Sequence, residues 1–160
     1  DERTRLACQF LERRGHDLGG KSEEWRTVLV RAIGDRLKTL ADAERYGEFA
    51  LRDTLEFDET AWRELVAKED VGPHLESLAA SLEGLADFSL AEIERVTRAL
   101  ASERGIKAGE LIGTARVALT GRKVSPGIFE VIWLLGRERC LSRLRDTARR
   151  WSEARASSQA

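Results

Sequence analysis

Between Ser22 and Leu40 the apolar residues Trp25, Val28, Leu29, Ala32, Ile33, Leu37 and Leu40 recur at intervals of three and four, with Arg26, Arg31, Asp35 and Lys38 between them. That spacing matches the 3.6-residue turn of an α-helix and gathers the apolar groups into one stripe that must be buried against a neighbour. Ser22 stands where an N-cap hydroxyl accepts from the free backbone N–H groups of a first turn. Similar spacing, interrupted by short polar or Gly-containing segments, covers most of the chain, and nowhere do apolar and polar residues alternate long enough to demand a strand. The expected class is all-α, built as a helical array with short connections.

The punctuation divides the array. A helix is predicted from Glu2 to Arg14, stopping at Gly15, and another from an Asp58 cap through Lys68, burying Trp62, Leu65 and Val66. Val71-Gly72-Pro73 is the sharpest break, because proline fixes φ and disfavours a helical residue before it. It sets the expected division into a first subdomain over residues 1–72, a second over 73–150, and a frayed tail over 151–160. Pro73 suits the first turn of a helix to about Ala86. Ser89-Leu-Ala-Glu92 reads as a capping box, followed by Ile93, Val96, Ala99 and Leu100 and a stop at Gly105. A further helix is expected from Gly109 to Leu119, ending at Thr120-Gly121. Ser125-Pro126 then reads as a cap followed by proline at the first helical position. The apolar run Ile128, Phe129, Val131, Ile132, Leu134 and Leu135 ends at Gly136. The last predicted helix carries Cys140, Leu141, Leu144 and Ala148 inside and arginines 139, 143, 145, 149 and 150 outside.

Composition narrows the class of protein. Apolar residues make up 42% and charged residues 34% of 160, enough to bury a core, and no apolar run approaches the roughly 18 residues that a membrane span needs. With no basic leader ahead of an apolar stretch, a cytoplasmic location without membrane contact is expected. Cys8 and Cys140 lack partners at metal-ligand spacing and read as reduced core residues; His16 and His74 read as lone surface histidines. The absence of methionine suggests a piece of something longer. From Ser89 onward there are 14 Lys and Arg against 8 Asp and Glu, and before it 13 against 20. A basic half beside an acidic one suits a chain that touches an anion such as nucleic acid at one end. Gly19-Gly20-Lys21-Ser22 is only a partial phosphate-loop match with no strand before it, and no set of nucleophile, base and acid shares a context. No catalytic residue and no metal ligand is assigned.

The segment Arg116-Val-Ala-Leu-Thr-Gly-Arg-Lys-Val-Ser-Pro-Gly-Ile-Phe-Glu-Val-Ile-Trp-Leu-Leu-Gly-Arg-Glu-Arg139 closely resembles the C-terminal region of bacterial glutamyl-tRNA synthetases. Phe88-Ser89, Glu103-Arg-Gly-Ile-Lys107, Gly109-Glu-Leu111 and Arg36-Leu-Lys-Thr-Leu40 fit the same family, and Leu55-Glu-Phe-Asp58 with Trp62 matches it more loosely; the likeness runs over about residues 5–149. The resemblance implies two packed helical subdomains forming a cage-like anticodon-binding array. It also implies that the glutamate, ATP and magnesium chemistry lies in a catalytic domain outside this sequence, since the ATP motifs of the family are absent. No cofactor is then expected in this part itself. The implied partners are the anticodon loop of tRNA(Glu) and the enzyme's own catalytic domain. Two departures, Phe49-Ala50-Leu51 in place of consecutive aromatics and Ala115 in place of a larger aliphatic residue, affect packing.

Carried over by position, Ser125 and Ile128 flank a Pro126-Gly127 turn that in the family lies against anticodon bases. A helix N-terminus offers free N–H donors there, and Gly127 lets a base approach the backbone. Arg122 and Lys123 are placed to reach phosphates, and Arg36 resembles an arginine that reads a base edge, a two-pronged task that lysine performs poorly. Beside these stand plainer readings: ordinary helix-stop and helix-start chemistry at 120–126, and a solvated or ion-paired Arg36. Trp25, Trp62 and Trp133 are expected in the core and Trp151 in solvent. The alternative function is a helical protein-interaction module that keeps the fold without binding RNA.

Overall fold

A computed structural model describes residues 1–159, and every regular element among them is helical: α1 (Glu2–Arg13), α2 (Glu23–Ile33), α3 (Leu40–Leu51), α4 (Glu59–Ala67), α5 (Val71–Glu83), α6 (Leu90–Glu103), α7 (Ala108–Thr120), α8 (Ile128–Leu135) and α9 (Arg137–Gln159), with a 3-10 turn at Gly34–Arg36. The longest helix, α9, has its most extensive contact with α5, and also packs on α4, α7 and α8. Helices α1, α2 and α3 pack on one another, and α8 joins them to the rest by lying against both α2 and α3. Trp25 of α2 closes that junction: its indole N–H donates to Leu134 O at 2.8 Å in the core. Cys8 and Cys140 are free and buried, as expected.

Several expectations shift in register. The stripe from Ser22 to Leu40 is not one helix. Gly34, at φ 59° and ψ −130°, ends α2, and Arg3 donates to Gly34 O (2.5 Å) and Leu37 O (3.1 Å), holding the turn open. Thr39 and Asp42 form the capping box that starts α3. Leu40 therefore lies on a new helix and is 43% exposed. The break near Val71-Gly72-Pro73 falls at Asp70, whose φ of 59° makes it the sole non-glycine with positive φ among the described residues. Pro73 is then the third residue of α5, where a missing N–H is harmless because first-turn donors have no helical acceptor. Helix α4, placed by sequence in the first subdomain, packs on α7 and α9. In α6 the buried positions are Ile93, Thr97, Leu100 and Ala101, whereas Ala99 is exposed.

The expected frayed tail over 151–160 is helical as far as Gln159. The stripe Cys140, Leu144, Ala148 simply continues at its own spacing to Trp151, which is buried rather than exposed. Its indole donates to Leu65 O at 3.1 Å, and a Cβ on Gly72 would lie only 3.0 Å from its ring. The arginines around Trp151 obscured this continuity.

Candidate nucleic-acid interface

A groove of about 570 Å³ runs between the C-terminal half of α3, the strip 52–58 that follows it, and the loop 120–125 that follows α7. Each wall has a local cause. Gly121, at φ 76°, caps α7 in the left-handed conformation and turns the chain out into the 122–125 loop. Its carbonyl accepts from Asp58 N at 2.8 Å, tying the two walls at their base. Thr120 locks the turn further: its hydroxyl bonds Arg116 O (2.7 Å), and Arg122 N donates to it at 3.2 Å.

The groove gathers three of the six residues named from sequence, Arg122, Lys123 and Ser125, and Arg36 lies beside it against Tyr46. Arg122 lies on the rim, 3.1 Å from Glu48, which also pairs with Arg52 at 2.9 Å. Lys123 pairs with Glu64 at 2.7 Å. All of these cations are at least half exposed, and such pairs are worth little and exchange readily for another anion. Ser125 lines the groove but is 7% exposed. Its hydroxyl accepts from Arg116 Nε at 2.9 Å and donates to Pro126 O at 2.7 Å. It is thus not the N-cap of α8; Gly127 is, and Pro126 stands two residues ahead of the first helical residue, Ile128. Arg36, exposed on the 3-10 turn, points its guanidinium to within 5.9 Å of the Tyr46 ring.

Gly127 and Ile128 do not line this groove. Ile128 is 3% exposed, a core residue under the turn. Gly127 is exposed, but a Cβ there would come within 2.5 Å of a Glu130 carboxylate oxygen. A negative side chain therefore lies beside the N-terminus of α8 that was expected to be open to an acceptor.

Sequence reasoning missed Arg45 and Tyr46. Arg45 lies 5.3 Å from the Tyr46 ring, so this half-exposed tyrosine has two guanidinium groups about it, and neither arginine forms an ion pair among the described residues. Arg116, beneath them, has its guanidinium pushed below the usual arginine range, chiefly by burial and then by the Arg36 charge. Val124, 62% exposed, projects from the tip of the opposite loop. An aromatic ring, unpaired cations and an exposed apolar residue around one cleft form a surface on which an unpaired base can stack while its phosphate meets positive charge. The signal for this was available: Thr39-x-x-Asp42 is a capping-box spacing, and it would have placed Arg45 and Tyr46 on a helix following Arg36. Among the described residues no group of three or more His, Cys, Asp and Glu is arranged to hold a metal ion.

Some arginines of the basic second half that were expected outside turn inward. Arg143 is 8% exposed, not on the outer face. Its Nη1 donates to Phe49 O (2.7 Å) and Leu119 O (2.9 Å), and its Nη2 to Arg52 O (2.8 Å). Arg139 donates to Ala50 O at 3.0 Å, Arg137 to Glu83 O at 2.9 Å, and Arg155 to Val66 O at 2.7 Å. Arginines of α9 thus satisfy carbonyls at the C-termini of α3, α4, α5 and α7, where the helix dipole also favours positive charge.

Residues 2–148 match the family model described as anticodon binding domain. The chain is 34% identical over 154 residues to a glutamate–tRNA ligase of Moorella thermoacetica, covering 94% of this chain and 31% of that protein. It is also 34% identical over 153 residues to glutamate–tRNA ligase 2 of Rubrobacter xylanophilus, again with 94% and 31% covered. The chain thus spans about 31% of the length of these curated relatives. In fold it is similar to part of a crystal structure of a glutamate tRNA ligase from Elizabethkingia meningosepticum, with a TM-score of 0.80 at 19% identity, covering 91% of this chain and 28% of that one.

Proposed function

The chain belongs to the anticodon binding domain family over residues 2–148, and from that membership we propose that it reads the anticodon loop of tRNA(Glu) as the RNA-selecting part of a glutamate–tRNA ligase. The observation that carries the reading is the groove in which Arg45 and Tyr46 face Arg122, Lys123 and Val124, with Arg36 beside it against the Tyr46 ring. In this reading Arg36 hydrogen-bonds a base edge, Arg122 and Lys123 leave their carboxylate partners for phosphates, and Gly127, exposed at the start of α8, admits RNA to the backbone once the Glu130 carboxylate beside it swings away. Ser125 and Ile128, being buried, hold the turn in place and do not touch bases through their side chains. The ligase's glutamate, ATP and magnesium are handled by its catalytic domain, which is the second partner of this region, and the whole works in the cytoplasm where tRNA is charged.

The test is titration with tRNA(Glu) and with transcripts altered only in the anticodon, at two salt concentrations. Affinity should fall with salt, by about 0.7 in log–log slope for each phosphate neutralised on a single strand. Arg36→Gln should erase discrimination at one anticodon position, whereas Lys123→Ala should weaken every transcript by a similar factor. Equal binding of all transcripts would sink the anticodon reading. No binding even at low salt would favour a helical module that recognises protein instead.

A further inference from the structure

The two walls of the groove come from segments about 70 residues apart in sequence, and both end on one side chain. The last turn of α3 and the residue after it offer the carbonyls of Phe49 and Arg52; the last turn of α7 offers that of Leu119. All three accept from the Arg143 guanidinium. Arg143 forms no ion pair among the described residues, so its charge faces helix C-terminal carbonyls in place of a carboxylate. Burial pushes this guanidinium down to about 10, with the Arg139 charge adding to the effect. A cation at that cost in hydration is held by its fork of donors, and only a planar fork spans two walls at once.

We infer that Arg143 is a positioning residue for RNA recognition, acting as a clamp that sets the distance between the Tyr46 wall and the 122–125 loop. Lysine at 143 keeps the charge but presents a compact ammonium, which can hold one wall and release the other. Arg139 gives the matched comparison, since it donates to Ala50 O on one wall and otherwise to Leu134 O and Leu135 O at the junction between its own helix and α8.

The inference rests on the anticodon-binding reading, and the experiment separates the two. Spin labels on Thr54→Cys and Val124→Cys, both exposed positions on opposite walls, report the groove width; native Cys8 and Cys140 are buried and do not label. In the full chain, Arg143→Lys should broaden the distance distribution and weaken tRNA(Glu) by about tenfold, measured at a temperature where every variant is folded. Arg139→Lys should leave the width nearly unchanged. An unchanged width and affinity in Arg143→Lys, with only thermal stability reduced, overturns the clamp. If the unsubstituted protein fails to bind tRNA, the RNA reading falls while the width measurement still decides the clamp. Should Arg143→Lys not fold, the unsubstituted protein supplies the readout: its Arg143 Nη protons, held on three carbonyls, should give separate, slowly exchanging NMR signals. A single averaged signal would overturn the inference.

Discussion

Gly121→Ala should be among the most damaging one-carbon additions in the molecule, and its cost can be built from two parts. The first is conformational. Gly121 sits at φ 76°, and placing an L-residue there costs about 1–2 kcal/mol. The second is steric. A Cβ at 121 would meet Glu56 O at 2.1 Å, with Glu56 C at 3.0 Å and Phe57 Cα at 3.2 Å. Ordinary contact begins near 3.4 Å, so the 56–57 backbone must retreat by roughly 1.3 Å. It is held in place by Asp58 N donating to Gly121 O at 2.8 Å, and losing that bond costs about 1 kcal/mol beyond an overpacking cost of about 1–3 kcal/mol. The sum is about 3–6 kcal/mol. Gly105→Ala is the internal control, because Gly105 has φ 68° but nothing within 4 Å of its Cβ position. It should cost only the conformational part, about 1–2 kcal/mol. Urea unfolding followed by tryptophan fluorescence measures both. If the two variants differ by less than about 1 kcal/mol, the contact between the 121 turn and the 56–57 strip is not the constraint described, and the reasoning fails. The same variant should also weaken RNA, because the displaced strip is a wall of the groove.

Three further outcomes are expected. Trp151→Ala should destabilise by about 3–5 kcal/mol, and Trp151→Phe, which keeps most of the ring contact on Gly72 but loses the bond to Leu65 O, by about 1 kcal/mol; a silent Trp151→Ala would mean that the end of α9 is not docked. His74 Nδ1 accepts from Arg104 Nε at 2.7 Å, which requires a neutral ring, and burial followed by the Arg104 charge holds its pKa below the usual histidine range. The unfolded chain therefore takes up the proton first, so this contribution is complete above about pH 6.5 and is lost as pH falls from there through the lower folded value. Thermal scans should show His74→Gln with a flatter loss of stability between about pH 7 and 5.5; parallel curves would contradict the assignment. Glu83, held down first by its hydrogen bond to Arg145, and Glu44, held down first by its hydrogen bond to His16, bind protons less readily folded than unfolded. Below about pH 4.5 the unsubstituted protein should lose stability more steeply than a Glu83→Gln, Glu44→Gln double variant.

How much was legible follows from what each signal encodes. Apolar spacing and glycine stops report local burial, which is why α1, α4, α6 and α7 fall within a residue or two of their expected ends. Spacing cannot reveal a break that keeps the phase: Gly34 leaves the stripe through Leu40 intact on paper, and only the long-range hydrogen bonds from Arg3 to Gly34 O and Leu37 O open the turn. Residue type cannot reveal where a long side chain ends. Arginines 137, 139, 143 and 155 look like a solvated basic face, yet each reaches a carbonyl more than 50 residues away. The charge surplus after Phe88 therefore overstates what RNA could meet. The cations on or beside the groove are Arg36, Arg45, Arg52, Arg122 and Lys123, and three of those five precede Phe88. At about 0.7 per phosphate, five contacts limit the salt slope to roughly 3–4. A slope well above that would mean that RNA also engages cations outside the groove, such as Arg145, Arg149 and Arg150 of α9, whose partners are exposed carboxylates that a phosphate can replace.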